Sequence, residues 1–357
     1  MLDKTQLQQI KNILERSQNP LFFYDNDADG LCSYLILRRV LLRGKGVTIK
    51  SFPALSEAYN HKLDELKPDL IVILDKAELS AKFSDHAEYL GIPILWVDHH
   101  QTKTSQQIID KVSYFTTYPT SEPTSYICQN IFYRQEDLWL ATIGCIADAY
   151  VPNFATKISK QYPELLPSHL TAETVSQSKA ISILQSTELG KIARILNFAL
   201  MDTTTNIIKL TNYLTKCNSP QDILEENHST KHAHEKYNRL NTFLQNQVQK
   251  AISDIDPNSK ILFHTYSGAT SMSSEIANRL LFLHPDKTII VAYLRPDKAN
   301  ISTRGKNALK ITTQFIKNIP GATGGGHEEA TGAMVPIGYF EKFKTNIKNI
   351  TNSKQKI

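Results

Sequence analysis

Leu21-Phe22-Phe23-Tyr24-Asp25-Asn26-Asp27-Ala28-Asp29-Gly30 is the stretch on which the fold turns. A short apolar run ends in three carboxylates at alternate positions and a glycine. From about Gly30 to Arg43, Leu31, Tyr34, Leu35, Leu37, Leu41 and Leu42 then recur at helical spacing. The order is a buried strand, an acidic loop and a helix. It repeats downstream: residues 70–74 (LIVIL) run into Asp75, and residues 92–97 run into Asp98-His99-His100. Strands separated by helical segments of this length build a parallel α/β sheet. Each strand sets its polar residues just past its carboxyl end, the edge at which open α/β sheets bind ligands.

Beyond Tyr150 strand signals thin out. Residues 170–255 read as several helices, the last from about Asp222 to Ile255. A second α/β unit begins near Lys260. It has strands over 261–266, 288–294 and 300–304, helices over Ser273–Leu283 and from Ala308, and a glycine-rich loop over 321–326. A chain of 357 residues exceeds one ordinary core. The expected architecture is therefore α/β. An N-terminal parallel-sheet domain (1–155), a helical connector (156–257) and a smaller C-terminal α/β domain (258–345) precede a basic tail (346–357), with the active-site cleft between the two domains.

From Lys260 onward there are 14 Lys/Arg against 6 Asp/Glu, net +8, whereas the remainder carries 26 against 29, net −3. Basic charge gathered in one part suits an anionic ligand, although Lys342, Lys344, Lys348, Lys354 and Lys356 form a tail that would also be a solvated surface. Cys32, Cys128, Cys145 and Cys217 have no CxxC spacing and read as buried reduced thiols of a cytoplasmic protein. Residues 1–17 read as an amphipathic helix, not a leader peptide, and no run is long enough to span a membrane.

Three carboxylates crowded into one loop repel one another unless something cationic compensates them. No Lys or Arg follows before Arg38, so a divalent cation is the economical answer for Asp25, Asp27 and Asp29. Capping of the next helix accounts for one of them, Asp29, and not for the pair Asp25 and Asp27. Adjacent histidines after a strand point in different directions. One of His99 and His100 can bind a metal while the other faces substrate, with Asp98 accepting a ring N–H from one of them. Asp148 lies in the apolar helical run Ala141–Ala149, where an unpaired carboxylate is costly. Arg304 closes a strand with the side chain suited to phosphate, and Gly324-Gly325-Gly326 before His327 can offer successive backbone N–H groups to an anion. Each feature alone has a plainer explanation in a turn, a helix cap or a surface side chain. His228 and His232, four apart, have no evident carboxylate partner for a metal.

Taken in order, these motifs resemble the DHH phosphoesterase superfamily, in its RecJ-like branch with a C-terminal DHHA1 domain. Asp25-Asn26-Asp27-Ala28-Asp29-Gly30 resembles the first motif, Asp75 the second, Asp98-His99-His100 the third and Gly144-Cys145-Ile146-Ala147-Asp148 the fourth. Arg304 and Gly324-Gly325-Gly326-His327 resemble the DHHA1 substrate motif. Phe23 stands where the oligoribonuclease and pyrophosphatase branches place a histidine. The resemblance implies a phosphodiesterase or exonuclease acting on single-stranded DNA or RNA with two divalent ions, Mn²⁺ before Mg²⁺. It implies Asp75 bridging them, Asp25 and Asp27 on one ion, and Asp29, His99 and Asp148 on the other. Asp75, His99 and His100 would be the catalytic residues. His100, Arg304, Gly324, Gly325, Gly326 and His327 would hold substrate, and replication or repair proteins would be the partners. Lys76 departs from the family pattern: strand alternation turns it away from the metals, or it touches substrate. Competing readings are a nanoRNase or cyclic-dinucleotide phosphodiesterase acting on short oligonucleotides, a hydrolase of pyrophosphate or polyphosphate, and a catalytically inactive replication factor, against which the full acidic set speaks.

Overall fold

The computed structural model describes residues 1–51, 54–120, 122–171 and 177–352. They form two compact units, Met1–Tyr237 and Asn238–Ile357.

The first unit opens with α1 (Lys4–Arg16), whose N-terminus is closed by a reciprocal Asp3–Gln6 capping box. Then come β1 (Pro20–Asp25), α2 (Ala28–Leu41), β2 (Lys45–Ile49), the two-residue β3 (Ala54–Leu55) and α3 (Asn60–Leu66). β4 (Leu70–Leu74), β5 (Glu78–Leu79), α4 (Ala81–Tyr89), β6 (Ile94–Asp98), α5 (Gln106–Ile109) and β7 (Ser113–Thr116) follow. The main sheet has the order β2-β1-β4-β6-β7 and is parallel throughout. Its central strands are apolar on both faces because both are covered. Leu21, Phe23, Ile71, Ile73, Ile94 and Trp96 pack with Phe83 and Leu63 of the helices on one side. Phe22 and Tyr24 turn the other way and meet Tyr34 of α2, the first edge-on at 5.3 Å and the second stacked at 5.0 Å. The chain leaves β1 for β2 on one side and returns to β4 on the other. That reversal opens a crevice at the carboxyl ends of β1 and β4.

Among the described residues eight more helices follow as far as residue 253: α6 (Thr124–Ile131), α7 (Leu138–Ala147), α8 (Ala155–Gln161), α9 (Gln177–Ser186), α10 (Glu188–Leu200), α11 (Thr204–Leu214), α12 (Gln221–Leu224) and α13 (Lys231–Ser253), with a short 3₁₀ turn at Ser168–Leu170. The segment read as a connector is thus helical, and as far as Tyr237 it belongs to the first unit. The single helix expected from Asp222 to Ile255 is broken. Asn227 accepts the backbone N–H groups of Ser229 and Thr230 through its side chain, and this turn competes with the helix between α12 and α13.

The second unit carries β8 (Ile261–Ser267), α14 (Ser273–Leu283), β9 (Thr288–Leu294), β10 (Lys298–Arg304), α15 (Ala308–Ile316), β11 (Thr323–His327), β12 (Ala330–Pro336) and α16 (Phe340–Asn352). Its sheet has the order β11-β12-β10-β9-β8, parallel only between β8 and β9. Ile290, Ala292, Ile301 and Val335 form a core with Ile311 and Phe315 of α15 and Phe343 of α16. The expected glycine-rich loop is in fact the edge strand β11. Gly324, Gly325 and Gly326 pair with Ala333, Gly332 and Thr331 of β12, and the backbone ladder holds the segment where side chains contribute nothing.

Candidate metal centre

The candidate residues of the first unit meet at the carboxyl edge of its sheet. Strand register sets Asp25, Asp75 and Asp98 side by side: Tyr24 pairs with Leu74, Leu74 with Val97, and the Asp75 N–H reaches the Val97 carbonyl at 3.0 Å. The loop after β1 turns at once into α2. Asp27, not Asp29, caps this helix by accepting the Gly30 N–H at 2.9 Å. A methyl at Gly30 would stand 2.7 Å from the Asp25 carbonyl oxygen, so only glycine lets the helix start this close to the strand. The Ala28 N–H is taken by the side-chain oxygen of Asn197 in α10 at 2.7 Å, which ties the acidic loop to the helical part of the unit.

Asp29 is buried at the N-terminus of α6. It accepts the Thr124 N–H at 2.7 Å, the Ser125 N–H at 3.1 Å and the Ser125 hydroxyl. Thr124 also donates its hydroxyl to Asp75 at 3.3 Å. Asp148 is the C-cap of α7 and partly exposed, yet its Oδ2 lies 3.2 Å from His99 Nε2. α7 comes close enough because residue 144 is glycine: a Cβ there would stand 2.5 Å from Ser125 Oγ.

The two histidines divide their roles. His100 accepts nothing from Asp98: its Nδ1 donates to Asp98 Oδ1 at 2.9 Å, and its backbone N–H donates to Oδ2 at 3.0 Å. Burial would depress His100, but its hydrogen bond to Asp98 outweighs this together with neighbouring charge, and the imidazole is pushed up to about 9. His99 is buried with Nε2 3.2 Å from both Asp75 Oδ1 and Asp148 Oδ2, and neither ring nitrogen has a hydrogen-bond partner. Burial also opposes the charged form of His99, while Asp148, Asp29, Asp98 and Asp27 raise it. Among the carboxylates, burial followed by mutual repulsion does the shifting. Asp27 is raised well above the usual range by burial, Asp75 and Asp25; Asp75 by burial and Asp29; and Asp29 to about 6 by burial and Asp148, against His99 and Ser125. A cluster that repels itself in this way, around an orphaned imidazole nitrogen, fits a divalent cation. Asp29, His99 and Asp148 form one group able to hold an ion; Asp75, His99 and His100 form another.

Of the two readings open for Lys76, turning away from the acidic cluster by strand alternation does not hold. β4 stops at Leu74, and Asp75 has φ +59°, so strand alternation does not govern the next side chain. Lys76 turns inward, buried, with Nζ 2.8 Å from Asp25 Oδ1. A cation from the fold therefore compensates Asp25, although none is near it in sequence.

In the second unit, Arg304 ends β10. Its Nε donates to Asn278 at 2.8 Å and its Nη1 to the carbonyls of Thr303 and Thr331 at 2.9 and 3.0 Å. Burial pulls its guanidinium down to about 10, against Glu275, so it stays charged at neutral pH. The side chain of His327 lies outside the described residues. His228 and His232 line a cavity of about 340 Å³ with Asp202 and Lys209, and His232 faces Glu235 at 3.3 Å.

The first unit thus gathers carboxylates and an imidazole at the switch point of a parallel α/β sheet. Residues 21–166 match the DHH family, N-terminal domain. No curated protein matches it in sequence. Among solved structures it is similar to RecJ of Thermus thermophilus in complex with Mn²⁺ (TM-score 0.67, 16% identity, 98% of this chain and 55% of that one). It is similar also to an exonuclease RecJ bound to manganese (TM-score 0.62, 17% identity, 99% and 96%) and to CDC45 of Entamoeba histolytica (TM-score 0.52, 11% identity, 99% and 100%). The chain spans about half the length of the Thermus protein. At these identities the likeness establishes the fold.

Proposed function

We propose that this chain is a divalent-metal-dependent phosphodiesterase that cleaves single-stranded nucleic acid. The observation that carries the reading is His99 Nε2, buried, without a hydrogen bond, and 3.2 Å from two carboxylates of different chain segments. Asp29, Asp75, Asp148 and His99 would hold the cation, with Asp27 beside them. Their mixed oxygen and imidazole character suits Mn²⁺, the ion of two RecJ structures with the same fold. When bound, such an ion supplies Lewis acidity toward a phosphoryl oxygen and brings water toward deprotonation near neutral pH. His100, fixed by Asp98, donates to a phosphoryl oxygen of the substrate. Thr124 and Ser125 hold Asp29 and Asp75 in place while charge redistributes. In the second unit, the committed Nε and Nη1 fix the plane of the Arg304 guanidinium, so Nη2 is the donor for a phosphate; the edge-strand amides of Gly324–Gly326 are further candidates. The net +8 from Lys260 onward supports an anionic polymer as substrate.

Asp75→Ala and His99→Ala should each abolish Mn²⁺-dependent cleavage of labelled oligonucleotides while the far-UV spectrum is retained; full activity in both rejects the assignment. Matched single-stranded DNA and RNA, labelled separately at each end and offered as a length series, would give polarity and preference. Cleavage of only the shortest members would move the reading to a short-oligonucleotide phosphodiesterase.

A further inference from the structure

We propose that the ammonium of Lys76 takes the place of a second firmly held divalent cation beside Asp25 and Asp27, so that the centre binds one such ion, at His99. This rests on the metal reading above and deepens it. The family resemblance implies two ions, one of them on Asp25 and Asp27. The geometry divides the cluster differently.

On one side, His99 Nε2 has a single lone pair and serves a single ion. Both groups able to hold an ion depend on His99, and His100 Nδ1 is already given to Asp98, so the two groups are not independent sites. Neither group contains Asp25 or Asp27. On the other side, Asp25 Oδ1 accepts both Lys76 Nζ at 2.8 Å and the Asn26 N–H at 2.9 Å. The lysine is held in this direction from its own backbone: Asp75 has φ +59°, and the Lys76 carbonyl accepts the indole N–H of buried Trp96 at 2.8 Å. A buried ammonium is stable only while paired, so withdrawing it to admit a metal ion carries a penalty that a neutral side chain would not impose.

The test is Mn²⁺ binding to the metal-free protein, by titration calorimetry and by metal content after desalting, for wild type, Lys76→Met and Asp25→Asn. The expected result is one retained Mn²⁺ per chain in wild type, an additional one in Lys76→Met, and one in Asp25→Asn. The added ion should bind about tenfold or more tighter than any second event in wild type. Two retained ions in wild type with one lost in Asp25→Asn would overturn the proposal. So would a folded Lys76→Met with the wild-type count and affinity. If Lys76→Met does not fold, judged by circular dichroism, the Asp25→Asn count decides. No Mn²⁺ on wild type at saturation would refute the metal reading itself, a distinct result.

Discussion

Asp29 shows how much of a candidate metal centre lies in the residues around its ligands. Its two oxygens are met by two first-turn amides of α6 and the Ser125 hydroxyl, which orient the carboxylate and temper a repulsion that would otherwise push it higher. Ser125→Ala removes the hydroxyl and leaves both amides, so the fold should survive. Mn²⁺ affinity should fall by about 10- to 100-fold, the usual effect of losing such a partner; calorimetric titration checks this, and an unchanged affinity would show that the amides suffice. The acidic positions themselves were legible in the sequence, because a carboxylate directly after an apolar strand is a local signal. Thr124 and Ser125 were not. A Thr-Ser pair after a proline reads as the start of a helix, and only the fold brings it to a carboxylate 95 positions away. Asn197 was hidden for the same reason. The direction of Lys76 depends on one backbone angle at Asp75, which the period of a strand does not encode.

Among elements, α2 and α7 set the spacing of the centre: Asp27 and Asp29 open the first and Asp148 closes the second. A buried ion pair joins them, with Arg39 of α2 2.6 Å from Asp137, just ahead of α7. The same guanidinium also donates to the Thr215 and Cys217 carbonyls. Asp137→Ala would leave that charge buried with carbonyl partners alone, and breaking such a pair typically costs about 3–5 kcal/mol. Urea denaturation should show a loss of this order at unchanged slope. A loss below about 1 kcal/mol would mean that the carbonyls alone satisfy Arg39. Strands β1, β4 and β6 and helices α14 and α15 could be read from periodicity, since each buries a regular pattern. β11 could not. Its glycines carry no side-chain signal, and only the partner strand β12 makes them a strand.

For the whole molecule, the order β2-β1-β4-β6-β7 turns local motifs into a site, because the pairing of β1 with β4 at the reversal brings Asp75 beside the acidic loop that already holds Asp25 and Asp27. The sequence announced strands, acidic ends and a basic C-terminal part, but not this order. Nor did it show that the helices up to Tyr237 belong with the first unit. No helix among the described residues is long and apolar enough to cross a membrane. An ion would be held by side chains that follow β4 and β6, open α2 and close α7. Crystals soaked in Mn²⁺ and measured at the manganese absorption edge would settle it. The account predicts an anomalous peak within bonding distance of His99 Nε2 and of Asp29, Asp75 and Asp148. An empty map there at saturating Mn²⁺, or a peak bound only by other residues, would contradict it.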